Sequence, residues 1–352
     1  MPVYLSGTDN VKLTPITSET RFQRAGAAVL IAPLLRDYGI DPLAVAREIQ
    51  FPVEIAELKP DTIVALDNLL LYLDAAVRAS GDPLFSFKLG ARYRWATHGV
   101  IHRLTTSARY LRNALIDFCE YQRLYSNATS VHLHRFGADV VLGFGAYAGT
   151  PRFLSHLYAL SAGVGYNLIH DLTGGAVRPL ELHFSTDAPR NLKGLTALFP
   201  GCILRFNQSQ TGVILAGDTI DWPLPGYDPV ARLRFIAEIE QAYGGTPMRV
   251  KVQRLIRPQL LNEDPSMVGM ARLLNIHPRS LRRALAKEGT TFEEIRDGVR
   301  NAIARELLEI TRLSIGEIST ILAFASHGSF VRAFERWNDM PPRAWRAQAA
   351  IN

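Results

Sequence analysis

A chain of 352 residues, 47 % hydrophobic, with a formal charge of +6 and two cysteines, is too long for one ordinary core and predicts two domains. Cys119 and Cys202 are too few for a disulfide framework and point to a reducing compartment, and no apolar run reaches the roughly eighteen residues needed to cross a bilayer, so a cytoplasmic protein without a membrane partner is expected. Residues 247–352 hold seventeen Lys/Arg and eleven Asp/Glu and residues 1–246 twenty-two of each, so the whole excess (17 − 11 = 6; 22 − 22 = 0) lies in the C-terminal part and implies a polyanionic partner for that part alone.

In chain order, residues 1–20 show no periodicity and read as a flexible arm. Arg21–Leu35 is basic then apolar, yet it starts late and contains Pro33, so it reads as a first packed helix rather than a leader. Apolar steps between polar or Pro/Gly breaks predict helices over Arg24–Asp37, Asp41–Gln50, Asp61–Ala79 and Ser107–Leu124. Thr129–Arg135 and Asp139–Tyr147 read as a hairpin around Phe136-Gly137-Ala138. A helix over Pro151–Leu172 follows, then strands over Pro179–Ser185, Cys202–Phe206 and Gly212–Leu215. Helices with antiparallel strands among them predict an α+β domain over residues 21–227. Asp221–Gly226 reads as a rigid connector, Pro229–Tyr243 as one more helix, and Gly244-Gly245 as a flexible boundary, so that residues 228–246 link the two domains.

Reactive chemistry is hard to find in this first part. Gly143-Phe144-Gly145 and Gly163-Val164-Gly165 lack the third glycine of a phosphate cradle. His132 and His134 share a strand face, and His98 and His102 a helix face, without the Cys or carboxylate partners of a metal site. Cys119 follows Phe118 on an apolar helix and reads as core. No catalytic residue, metal or cofactor is therefore assigned, and the protein is expected not to be an enzyme. For a small-molecule pocket the best set is Trp95, His98, Tyr121, Tyr125 and Phe144, aromatic surface with a few polar tips; ordinary core packing is the alternative for each.

The last hundred residues read differently. Asp264-Pro265-Ser266 predicts a helix start, with Asp264 as the cap, and Met267, Met270, Ala271 and Leu274 supply one apolar face. Asn275-Ile276-His277 interrupts, and Pro278 begins a second helix running to Gly289. Its projection puts Arg279, Arg282, Arg283 and Lys287 on one side and Leu281, Ala284 and Leu285 on the other. A solvated basic surface is the alternative to a helix that enters a DNA major groove. Thr291 with Glu294 forms a capping box for a long helix to Ile310, which Gly298 weakens by about 1 kcal/mol relative to alanine. Ser314 with Glu317 starts a short helix. The helix after it buries Phe330, Ala333, Phe334 and Trp337 and turns Ser329, Arg332 and Arg336 outward. The result is an all-α domain over residues 247–352 with two helix-turn-helix units, about 264–289 and 314–337, joined by a long helix, and Pro341-Pro342 opens a last turn that docks Trp345.

Leu322-Ala323-Phe324, Ser329-Phe330, Arg332-Ala333-Phe334, Arg336-Trp337 and Pro342 with Trp345-Arg346 resemble the signature of the AraC/XylS family of transcription regulators. Ala271-Arg272-Leu273-Leu274, Pro278-Arg279-Ser280-Leu281 and Arg282-Arg283 match its first unit. Asn275, Ala323 and Asp339 stand where members carry glycine. Leu89-Gly90, His98-Gly99, Tyr121-Gln122-Arg123-Leu124 and Leu172-Thr173-Gly174 resemble, more loosely, the sensor domain of a subset of that family, often labelled arabinose-binding and found in ornithine-type regulators. The resemblance implies a DNA-binding regulator, an activator by expectation, with double-stranded operator DNA and a small-molecule effector as partners. It also implies contact with RNA polymerase and a possible homodimer. Carried over residue by residue, it assigns DNA contact to Arg279, Ser280, Arg282, Arg283 and Lys287 in the first unit and to His327, Gly328, Ser329, Arg332 and Arg336 in the second. An enzyme with an accessory DNA domain and a non-specific nucleic-acid binder are the competing classes. Amino acids, sugars, aromatics and fatty acids are all compatible effectors.

Overall fold

The structure, a computed structural model, describes residues 3–6, 12–15, 21–51, 58–122, 125–146, 151–189, 192, 194–242, 247–260, 265–274 and 276–349. The chain divides into two compact units, residues 1–132 with 138–232, and residues 133–137 with 233–352.

In the first unit, β1 (Val3–Ser6) pairs antiparallel with β2 (Lys12–Pro15), so the stretch read as a loose arm carries a two-stranded ribbon. β3 (Phe22–Arg24) pairs antiparallel with β4 (Ile63–Ala65). Helix was expected to begin at Arg24 and at Asp61; pairing between these two short segments, one of them Ile-Val-Ala, overrides the helical periodicity. The helices themselves follow, α1 (Ile31–Asp37) after a 3-10 turn over Gly26–Leu30, α2 (Pro42–Glu48) and α3 (Leu66–Ser80). Asp41 caps α2 by accepting from the Leu43 N–H at 3.0 Å, a standard role for an acid before a proline.

Two helices that periodicity missed, α4 (Phe85–Arg92) and α5 (Gly99–Thr106), precede α6 (Leu111–Tyr121). Both are about two turns long, too short for a helical repeat to declare itself. β5 (Thr129–Phe136) and β6 (Asp139–Ala146) meet around Gly137, whose φ of +63° suits glycine. After α7 (Pro151–Thr173) come β7 (Glu181–His183), the single turn α8 (Leu195–Leu198), β8 (Ile203–Arg205) and β9 (Thr211–Leu215). The sheet order is β5-β6-β9-β7-β8; β9 is antiparallel to both neighbours, and β7 and β8 pair in parallel. The unit is α+β.

A close helix crossing in this unit is made by two glycines. A Cβ on Gly163 of α7 would lie 2.5 Å from the Gly90 carbonyl carbon and 2.7 Å from the Gly90 Cα on α4. Asn167, one turn further along α7, donates from Nδ2 to the carbonyls of Gly90, Ala91 and Tyr93 at 3.2, 2.8 and 2.8 Å. It thereby adds to the Tyr93 N–H bond that the Gly90 carbonyl already accepts at 3.1 Å, engages the carbonyls at and just past the C-terminal end of α4, and fixes where the chain turns into the segment that carries Tyr93, Trp95 and His98. Residues 163–165, whose glycines could not cradle a phosphate, serve packing.

α9 (Pro229–Ala242) starts in the first unit, where Arg232 binds Asp117 of α6 through both nitrogens, at 2.5 and 2.9 Å. Burial raises the Asp117 carboxyl above its ordinary range while the Arg232 hydrogen bonds pull it back. Gly244-Gly245 lies outside the described residues.

The second unit is helical: α10 (Met248–Gln259), α11 (Met267–Leu273), α12 (Pro278–Lys287), α13 (Phe292–Ile310), α14 (Ile315–Ile321), α15 (His327–Asn338) and α16 (Pro342–Ala349). The cap of α11 is Ser266, accepting from the Gly269 N–H at 3.1 Å, rather than Asp264, which with Asn275 lies outside the described residues. Thr291 with Glu294 and Ser314 with Glu317 form capping boxes at α13 and α14. Met270, Ala271, Leu281, Leu285, Phe292 and Ile295 build one apolar cluster; Leu307, Leu313, Ile318, Leu322, Phe330 and Phe334 belong to another. Leu260 and Val299 touch both clusters. Trp345 of α16 docks edge-on to Phe334 and donates to Glu309 Oε1 at 3.0 Å.

Ala323 and Asp339 both take φ of +55°, a left-handed geometry that suits glycine and is held here by residues that bear a Cβ. This costs about 1–2 kcal/mol at alanine and less at aspartate. Ala323→Gly is therefore expected to stabilise the second unit by about 0.5–1 kcal/mol, the strain relief being partly offset by a freer unfolded chain. Urea unfolding followed by Trp337 and Trp345 fluorescence would show it as a higher midpoint at unchanged slope.

Candidate functional site

Each helix-turn-helix presents one helix by its N-terminal end. In α12 the cap is His277, whose Nδ1 accepts from the Arg279 N–H at 3.1 Å, a role the sequence did not declare because histidine is an uncommon cap. Leu281 and Leu285 are buried, and Arg279, Ser280, Arg282, Arg283 and Lys287 are exposed, as the projection requires. In α15, Ser326 and Ser329 cap each other: each backbone N–H is accepted by the other's hydroxyl, at 3.2 and 3.1 Å, and the Ser329 hydroxyl donates to the Ser326 carbonyl at 2.7 Å. The Ser329 hydroxyl proton is thus committed inside the turn.

Further along α15, His327 and Arg332 are exposed, and a Cβ on Gly328 would sit 3.4 Å from an Arg332 guanidinium nitrogen, so Arg332 folds back toward Gly328. Arg336 pairs with Asp297 of α13 at 3.1 Å while staying largely exposed. Trp337 donates to the same carboxylate at 3.3 Å and is half-buried. Among the ten candidates, two, Ser329 and Arg336, hold these bonds within the chain.

Sequence reasoning missed Arg300. It lies on α13, 5 % exposed, donates to the Ala323 carbonyl at 3.1 Å and stacks its guanidinium 4.6 Å from the Phe324 ring centroid. It braces the turn of the second unit, its guanidinium engaged within the chain rather than turned to solvent. Only its burial reveals this; helical spacing alone does not.

In the first unit a cavity of about 80 Å³ opens among α3, α6, α7, β5, β6 and β9. Of the five residues nominated from sequence, His98, Tyr125 and Phe144 line it, and Trp95 and Tyr121 do not. Trp95 is fully buried behind His98, stacked on it at 4.2 Å and anchored through its indole N–H to the Thr105 hydroxyl at 2.9 Å. Tyr125 stacks on His98 at 4.1 Å, and Phe118 meets His98 edge-on at 5.7 Å. The imidazole is thus clamped between two aromatic rings. The Tyr93 hydroxyl meets His98 Nδ1 at 2.6 Å. Gln23 and Gln122 also line the cavity, and neither was singled out from sequence.

Burial drives the His98 pKa down to about 3 from the usual 6.5 and holds the Tyr93 phenol well above its ordinary value, so the ring is neutral and the phenol keeps its proton. A folded-state pKa below the unfolded one means that the unfolded chain binds the extra proton between about pH 6.5 and 3. Stability from this group is full above pH 6.5 and falls as the pH drops. By pH 5.5 the first unit is expected to lose roughly 1 kcal/mol, and His98→Gln should flatten that dependence; thermal midpoints between pH 7 and 5.5 measure it. Glu181, held at about 2 by Arg205 and His183, titrates below this window.

Comparison with known proteins agrees with the geometry. Residues 39–224 match the family described as the arabinose-binding domain of AraC transcription regulator, N-terminal, and residues 270–348 match a helix-turn-helix domain. Over 339 residues the chain is 24 % identical to the ornithine utilization regulator of Pseudomonas aeruginosa, covering 91 % of this chain and 94 % of that one. Over 331 residues it is 26 % identical to the HTH-type transcriptional regulator VirS of Mycobacterium tuberculosis, again covering 91 % and 94 %. A solved structure of the transcriptional regulator CdpR from Pseudomonas aeruginosa is similar at a TM-score of 0.44 and 22 % identity, over 90 % of this chain and 97 % of that one. No helix among the described residues is long and apolar enough to cross a membrane. With the first of these matches spanning more than half its length, the chain belongs to the AraC-type transcription regulators, joining an N-terminal ligand-binding domain to a C-terminal helix-turn-helix DNA-binding domain.

Proposed function

We propose that this regulator binds operator DNA in a sequence-specific way, with α12 and α15 entering adjacent major-groove segments about one turn apart and α13 holding them in register. The observation that carries the reading is the pairing of two separately packed helix-turn-helix cores, each with one capped helix whose outer face is polar or cationic. Arg279, Arg282 and Arg283 read bases in the first sub-site, and His327 and Arg332 in the second. Lys287 and Ser280 hold the backbone. Gly328 permits close approach, and Arg336 and Ser329 position α15.

In this reading residues 21–227 form the sensor, 228–246 the link and 247–352 the DNA-binding domain. The cavity around His98 is the effector site, and Arg232 ties the first turn of α9 to α6 of the sensor, giving an occupied cavity a mechanical route into the link. Activation through contact with RNA polymerase, and dimerisation, complete the proposal; the protein acts by binding rather than by catalysis.

Selection of bound fragments from genomic DNA by the purified full-length chain, followed by footprinting, tests it. Two protected sub-sites about ten base pairs apart are the expected result, and enrichment without a motif would sink sequence-specific reading. Arg283→Ala is expected to weaken the selected site by about 1–3 kcal/mol and non-specific DNA much less. An equal loss on both in salt-controlled titrations would assign Arg283 to phosphate.

A further inference from the structure

The chemistry of the cavity wall narrows the ligand. Among the described residues that line it, none is Asp, Glu, Lys or Arg. Most of the surface is aliphatic or aromatic, contributed by residues such as Leu69, Leu73, Val131, Leu160 and Val213. Into this surface project polar atoms that the protein leaves unpaired. His98 is 6 % exposed and its Nε2 has no hydrogen-bond partner; Gln122 is 5 % exposed and its Oε1 has none; Gln23 Oε1 is a third. An unmet buried donor or acceptor costs about 1–3 kcal/mol, so three around one cavity point to a ligand that pairs with them.

The state of the imidazole fixes what His98 offers. Its Nδ1 faces the Tyr93 hydroxyl, and a phenol that keeps its proton donates it there. The neutral ring then carries its own proton on Nε2, the atom left unpaired, so His98 presents an N–H donor. The Trp95 and Tyr125 rings, stacked on its two faces, stop it from turning away. Gln122 presents its Oε1 as an acceptor, since its amide nitrogen faces the Thr129 hydroxyl at 3.5 Å.

Resting on the reading of this cavity as the effector site, we propose that the effector is an uncharged small alcohol or phenol, with an apolar body and one hydroxyl that accepts from His98 Nε2–H and donates to Gln122 Oε1. A carboxylate or ammonium in the same place would be stripped of water without a counter-charge, at a cost of several kcal/mol. A polyhydroxylated sugar would bring more hydroxyls than the wall can pair. The volume, about 80 Å³, keeps the ligand small.

The test uses the full-length chain with matched probes: 1-butanol, 1-hexanol and phenol against butanoate, hexanoate, butylamine and hexylamine. Affinity is read by calorimetry and by saturation transfer to the ligand. The alcohols or phenol are expected to bind at least tenfold more tightly than their charged partners. His98→Phe keeps the stacked ring and removes the N–H, and should weaken the hydroxylated probes about tenfold, one neutral hydrogen bond. Ala162→Leu, which narrows the cavity, should abolish binding. Charged probes binding as tightly as neutral ones, no neutral probe binding at all, or an unchanged affinity in folded His98→Phe would each overturn the proposal. If hydroxylated probes bind through His98 yet leave operator affinity and transcription unchanged, the ligand class stands and the effector reading of the cavity fails.

Discussion

Gly163→Ala is expected to destabilise the sensor by roughly 3 kcal/mol, and Gly298→Ala to stabilise the DNA-binding domain by about 1 kcal/mol, although both glycines sit inside helices. Alanine is the better helix former at either site, and the local term therefore has the same sign in both. What differs is the space. Nothing lies within 4 Å of a Cβ placed on Gly298, whereas on Gly163 it meets the Gly90 carbonyl carbon, the Gly90 Cα and the Ala91 nitrogen between 2.5 and 2.8 Å. Those are backbone atoms, which cannot rotate aside as a side chain can. α4 and α7 must then separate, which strains the three hydrogen bonds from Asn167 that end α4 and displaces Tyr93, the residue that orients His98. Calorimetry of the two variants checks the pair. At about 2–4 °C per kcal/mol for a domain of this size, the sensor transition should fall by about 6–12 °C in the first, and the other transition should rise by a few degrees in the second. A Gly163→Ala protein with an unshifted sensor transition would mean that the helices part without cost.

The contrast also shows what could be read from sequence. The C-terminal unit was legible almost residue by residue, because its signals are local: Thr291 with Glu294 and Ser314 with Glu317 write their capping boxes into four consecutive positions, and the apolar steps of α13 run for five turns. In the sensor the decisive contacts are between segments far apart in the chain. Gly90 and Gly163 are ordinary glycines until α4 crosses α7. Asn167 is one polar residue on an apolar helix until it meets three carbonyls more than seventy positions away. His98, Tyr125 and Phe144 could be nominated as aromatic surface with polar tips, but nothing local separates them from Trp95, which stacks on the same imidazole from its far side. Gln23 and Gln122 acquire meaning only as unpaired atoms around one cavity, a property of the assembled fold. The strands at 22–24 and 63–65 were lost in the same way, since each needs the other to exist.

Arg300→Ala is expected to cost the second helix-turn-helix unit on the order of 3 kcal/mol, and to do so without touching the face that meets DNA. The substitution removes a charged hydrogen bond, worth about 1.5–3 kcal/mol, and a partly desolvated cation over an aromatic ring, worth about 1–2 kcal/mol. It also leaves the Ala323 carbonyl unpaired at a residue already held at a φ of +55°. Phe324, no longer clamped, is the ring through which the turn packs on Phe330 and Trp337, at 5.5 and 6.1 Å. The damage should stay local, because the first unit packs around Leu281, Leu285 and Phe292, a cluster that meets the second through Leu260 and Val299. Footprinting on the selected operator then gives an asymmetric result: protection over the sub-site of α15 fades while that of α12 persists. Arg300→Lys keeps the charge but loses the planar stack, and should fall between the two. Loss of both sub-sites together would show that the cores fold as one cooperative body, and that α13 transmits disorder as readily as it sets spacing.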